Sequence, residues 1–70
     1  MKTRIFHNGD YYDITYHQEQ VIEDNVAVVN HIIHYESPDK KHILTLTGKD
    51  LGGIVLAFKD MINEHKKAGL

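Results

Sequence analysis

Polar and apolar residues alternate along most of the chain, and the period changes once, near residue 50. In "RIFHNGDYYDITY" the alternation runs on both sides of Asn8-Gly9. That dipeptide suits the two central positions of a type I′ turn, which both need positive φ. A two-residue turn there faces His7 with Asp10, Phe6 with Tyr11, Ile5 with Tyr12 and Arg4 with Asp13. One face of the hairpin then carries Ile5, Tyr12, Ile14 and Tyr16, and the other Phe6 and Tyr11 beside Arg4 and Asp13.

A second hairpin is predicted around "ESPDKK", with Pro38 and Asp39 at the second and third positions of a type I turn. Pairing outward puts Glu36 opposite Lys41, Tyr35 opposite His42, Ile33 opposite Leu44 and His31 opposite Leu46. Ile33, Tyr35, Leu44 and Leu46 share an apolar face. The reverse face alternates Ile32, His34, Glu36, Lys41, Ile43, Thr45 and Thr47, the pattern of a sheet with one buried side.

The intervening "QVIEDNVAVVNHIIHYE" fits two patterns. A helix over about 20–35 would put Ile22, Val26, Val29 and Ile33 on one stripe and give ββαβα. Strands turning at Asp24-Asn25 would pair Ile22 with Ala27, Tyr16 with Ile33 and Ile14 with Tyr35. Seven β-branched residues (Val21, Ile22, Val26, Val28, Val29, Ile32, Ile33) favour the pleat. The strand register also sends the apolar faces of both hairpins to the same side, so the two levels agree.

Beyond "TGKD" the period becomes helical. Leu51, Ile54, Val55, Phe58, Met61 and Ile62 form one stripe. Thr47 as N-cap with Asp50 at N3 reads as a capping box. His65, Lys66 and Lys67 complement the helix dipole, and Gly69 is placed to end the helix. The expected fold is therefore α+β: one domain over 1–70, a four-stranded antiparallel meander with a C-terminal helix on its apolar face (ββββα).

Composition narrows the functions. Cysteine is absent, which removes disulfides and thiolate metal sites and fits a reducing cytoplasm. No apolar run approaches the roughly 20 residues of a membrane span. The start "MKTRIFHNGD" turns too early for a signal-peptide core. A formal charge of −2 disfavours nonspecific attraction to nucleic acid or anionic lipid, although protonating all six histidines would bring it to +4.

Three histidines crowd "HIIHYESPDKKH" without making a metal site. In strands, His31 and His34 lie on opposite faces, and His31 and His42 stand two rungs apart on one face. His17 and His34 are diagonal neighbours on the outer face, with no carboxylate to complete a set. "LTLTGKD" lacks what a phosphate loop needs, because Ile43 stands where the first glycine would be and Asp50 replaces the hydroxyl residue. The single serine, Ser37, lies in a turn with no acid or base expected beside it, so no enzyme and no cofactor are expected.

What remains are surfaces. Phe6 and Tyr11 form a cross-strand aromatic pair beside Arg4, away from the helix. Gly53 and Ala57 flank an outward Leu56 and form a small-residue strip open to close approach. Ile43 points outward on the last strand. A core this small is marginal alone, and the edge strands at 2–7 and 41–47 are free. The expectation is a non-enzymatic protein-interaction module, homodimeric, of the regulator or inhibitor kind found in phages and plasmids. Its dimer surface would be the fourth strand or the Gly53–Leu56–Ala57 side of the helix. The element order, with "YESPDKKHILTLTGKDLGGIVLAF" as turn, last strand and helix start, is similar to that of the PC4-like single-stranded-DNA-binding proteins. That resemblance implies the rival function, a single-stranded nucleic-acid binder using the Phe6–Tyr11 face with Lys2, Arg4 and His7.

Overall fold

The computed structural model describes residues 1–67. Four strands, β1 (Lys2–His7), β2 (Asp10–Glu23), β3 (Val26–Glu36) and β4 (Ile43–Gly48), pair in sequence order as one antiparallel sheet. One helix follows, α1 (Leu51–Lys67). The meander and its closing helix are those the hydrophobic pattern predicts. Residues 20–35 form strand, so the ββαβα alternative does not arise.

Both two-residue turns take the backbone that they need. Asn8 and Gly9 have φ of 50° and 86°, and Asp24 and Asn25 have φ of 49° and 64°. The first hairpin pairs His7 with Asp10 and Ile5 with Tyr12, and the second pairs Ile22 with Ala27 and Tyr16 with Ile33. All these pairs follow from the sequence.

The third hairpin differs by two residues. Tyr35 faces Leu44, Ile33 faces Leu46 and His31 faces Gly48, in place of His42, Leu44 and Leu46. The expected turn is present, since the Lys40 amide donates to the Ser37 carbonyl at 2.8 Å. A type I turn, however, twists against its flanking strands. Lys40 at φ 61° and then Lys41 are taken into the loop, and pairing resumes where the Ser37 amide donates to the His42 carbonyl at 2.9 Å. A shift of two keeps every side chain on its face, so the core survives the error.

The helix begins later than the capping-box pattern implies. Thr47 and Gly48 remain in β4, and Asp50 is the residue before the first turn, its carbonyl accepting from the Ile54 amide at 3.1 Å. Asp50 is therefore the N-cap in place of Thr47. This also accounts for one of the two glycines: a Cβ on Gly53 would lie 3.2 Å from Asp50 Oδ2. Gly52 and Gly53 occupy the first turn beside the Asp50 side chain, and the close approach between helix and sheet is at Gly48. The helix stop expected at Gly69 lies outside the described residues.

Ile5, Ile14, Ile33 and Tyr35 from the sheet and Ile54, Phe58 and Ile62 from α1 make the buried core. Phe58 is fully buried, with its ring set edge-on to Tyr12 and Tyr35. The helix runs from the end of β4 back to the first turn, where His7 Nε2 meets Asn63 Oδ1 at 2.8 Å and Lys66 Nζ donates to Asp10 at 2.9 Å. It covers one end of the sheet only. Among the described residues no helix is long and apolar enough to cross a membrane.

Candidate interaction surfaces

The lengths of the strands decide what is left open. β1 pairs β2 as far as Thr15, and the Met1 and Tyr16 main chains add the last two bonds. β4 pairs β3 as far as His31. Among the described residues, 19–23 and 26–30 continue as a two-stranded arm with no strand on either side. At ~3.3 Å per residue, the five residues on β2 project roughly 16 Å. The molecule is correspondingly long, 45 × 21 × 20 Å.

An isolated two-stranded ribbon is marginally stable in water. This one is nevertheless apolar: Ile22 is 70% exposed, Val26 58% and Val29 45%. An ion pair between Glu23 and Lys49, the residue after β4, ties it to the body. At the arm's base the inner face is polar but satisfied. The Tyr16 hydroxyl lies 2.6 Å from His31 Nδ1 and accepts from Gln18 Nε2 at 2.9 Å, with the tyrosine and imidazole rings stacked.

The outer face at the other end holds the aromatic candidates. Phe6 and Tyr11 have ring centroids 5.0 Å apart and are 56% and 66% exposed. The Arg4 guanidinium lies 5.8 Å from the Tyr11 ring centre, and its Nε donates to Asp13 at 2.8 Å. Lys2, Thr15, His34 and Glu36 line a shallow depression beside that ion pair. His7, expected to help this face, lies on the opposite one against Asn63, because it is one residue out of phase with Phe6.

The remaining candidates stand apart from one another. Ile43 is 60% exposed on the β4 edge, and Leu56 is 64% exposed on the helix. Gly53 is exposed and Ala57 half-buried beside it. The structure thus brings Arg4, Phe6 and Tyr11 together and leaves Ile43 and the Gly53–Leu56–Ala57 strip as separate patches.

Sequence reasoning did not find the arm as a surface, although it found the hairpin. The signal was available. The turns at 8–9 and 24–25 allow β2 up to fourteen residues, more than β1 and β4 supply.

The histidines are dispersed. His34 Nδ1 is held 2.9 Å from Thr45 Oγ1, and His42 and His65 meet edge-on across the β3–β4 loop and α1. Among the described residues no three histidine or carboxylate side chains are grouped to hold a metal ion. The tightest polar cluster is the β3–β4 loop. Buried Ser37 donates its hydroxyl to Asp39 and accepts from the His42 amide at 3.1 Å, and the Lys41 amide donates to Asp39 at 3.1 Å. The Ser37 hydroxyl first, and the Lys41 amide second, hold the Asp39 carboxyl below the usual carboxylate range. The hydrogen bond to Asp10, then the contact with Tyr12, raises Lys66, while burial raises Tyr35. These groups close the loop and dock the helix end.

No family model, curated protein or solved structure matches the chain.

Proposed function

We propose that the chain is a small non-enzymatic protein-interaction module that works as a homodimer, a regulator or inhibitor in kind, acting in the cytoplasm. The observation that carries this reading is the arm, an unsupported β-ribbon with exposed Ile22, Val26 and Val29. Apolar side chains on a projecting ribbon gain by being covered, at about 25 cal/mol for each Å² removed from water. The exposed Phe6–Tyr11 pair, at the opposite end, is the surface offered to a different protein, since clustered aromatic residues are common interface anchors. The absence of cysteine supports the cytoplasmic setting. Sedimentation equilibrium tests the reading: the expected result is a dimer at micromolar concentration, and a monomer throughout that range overturns it.

One observation favours a second reading. Arg4 against Tyr11, with Phe6 and Lys2 on the same face, is an arrangement on which unpaired bases can stack. Asp13 and Glu36 border that face, and the net charge is −2, so protein is the preferred partner. Fluorescence anisotropy with an oligothymidylate separates the two. A nucleic-acid site loses affinity steeply between about 50 and 200 mM salt, and no binding even at the lower salt removes this second reading.

A further inference from the structure

The arm has two free edges, and they differ in chemistry. On the β2 side it presents "EQVIE", residues 19–23, whose two glutamates blunt that edge against pairing even though Ile22 is exposed on it. On the β3 side it presents "VAVVN", residues 26–30, with no charge, proline or lysine. We infer that this β3 edge pairs antiparallel with the same edge of a second copy, about a two-fold axis at Ala27. The inference rests on the homodimer reading above and names its surface.

The hydrogen-bonding groups support that choice. In a two-residue hairpin the residues flanking the turn, Glu23 and Val26, exchange bonds with each other, and the pattern then alternates. Val26, Val28 and Asn30 therefore spend their main-chain groups on β2. Ala27 and Val29 point theirs away from β2, to the side where β4 has ended. A two-fold axis at Ala27 lets the two Ala27 residues exchange both of their bonds and sets Val29 against Asn25 of the second copy.

Sterics and charge agree with this centre. Moving the axis to Val28 would drive the second copy's turn to the level of His31, where Gly48 already sits. With the axis at Ala27 the turn stops level with Asn30. Asp24 of the second copy then arrives beside Lys49, the cation that already holds the acidic end of its own arm. The paired segments carry no charge, so self-pairing meets no like-charge repulsion, whereas two β2 edges would bring glutamates together.

Magnitude sets the expected strength. Five residues of strand edge cover less than the roughly 800 Å² per partner of a standard stable interface. The dimer is therefore expected to dissociate in the micromolar range and to exchange readily.

Ala27→Pro is the direct test, because the Ala27 amide takes no part in the intrachain ladder and proline is tolerated on an edge with that group outward. Sedimentation equilibrium should give a dimeric wild type and at least a tenfold weaker dimer for Ala27→Pro, with its thermal unfolding still cooperative. Leu56→Asp and Ile43→Lys mark the rival surfaces. A monomer from either, with Ala27→Pro still dimeric, overturns the edge and leaves the homodimer standing. A monomeric wild type removes both. Should Ala27→Pro fail to fold, Ala27→Cys decides the matter, since the chain has no other thiol. Paired Cα atoms about 5.5 Å apart lie within disulfide range. Ala27→Cys should therefore cross-link under mild oxidation at least tenfold faster than Asp60→Cys on the exposed side of α1. Equal rates overturn the proposal.

Discussion

Gly48 and Ile54 meet where the last strand gives way to the helix: a Cβ on Gly48 would stand 2.7 Å from Ile54 Cγ2. Ile54 is buried and branched at that carbon, so it has little room to yield. Gly48→Ala is expected to destabilise the protein by about 1–3 kcal/mol, the usual cost of overpacking a close contact. A lower urea midpoint with unchanged slope would show it; an unchanged midpoint would mean that α1 lies farther from β4.

The Asn8-Gly9 turn should resist substitution for a different reason. Gly9 has open space around it, so its φ of 86° alone makes the demand. Gly9→Val is expected to cost more than about 1 kcal/mol, because a β-branched residue avoids positive φ. Equilibrium denaturation checks this, and an unaffected midpoint would contradict the type I′ geometry.

The β3–β4 loop should weaken in acid. Asp39 has its carboxyl held below the ordinary range, chiefly by the Ser37 hydroxyl. The stabilisation is therefore complete above the ordinary carboxylate range and is lost as pH falls through the lowered value. Ser37→Ala should return the Asp39 carboxyl toward its ordinary titration, observable by NMR, and cost about 0.5–1.5 kcal/mol by removing the acceptor of the part-buried His42 amide. An Asp39 titration identical in the two proteins would show that the serine does not set it.

Zinc or nickel at modest excess should leave the melting temperature unchanged. A site that binds only the folded state must raise it, and His34, the better placed of the outer pair with His17, has one ring nitrogen engaged by Thr45. A clear rise that disappears in His17→Ala and His34→Ala would establish a metal site.

How much of this was legible depends on how local each signal is. The turns at Asn8-Gly9 and Asp24-Asn25 need positive φ at two adjacent residues, a demand that few dipeptides meet, so both registers could be read directly. Pro38-Asp39 announced a turn, but nothing local said that Lys40 and Lys41 would join the loop. That depends on strand twist, which is a property of the assembled sheet. Thr47 and Asp50 are both good caps, and the choice fell to Asp50 because pairing with β3 holds Gly48 in the sheet. His7 was misassigned by treating nearness to Phe6 as a shared face. Ile22 and Val29 share the face of the core residues and look like core when strands are read singly; they become surface because β1 and β4 are short and α1 covers one end of the sheet.

The contacts between α1 and the first turn carry a consequence for how the chain matures. Each strand pairs with the one made just before it, so the meander can zip up progressively as it is synthesised. Its apolar face is complete once β4 exists, yet the cover arrives afterwards, and His7 and Asp10 wait for Asn63 and Lys66, which are 56 residues later in each case. During that interval Ile5, Ile14, Ile33 and Tyr35 lie open on a sheet whose edges are also open, the condition in which nascent chains aggregate. The helix thus acts as a latch thrown last, and changes that slow its docking should lower the yield of folded protein even where they leave its final stability untouched.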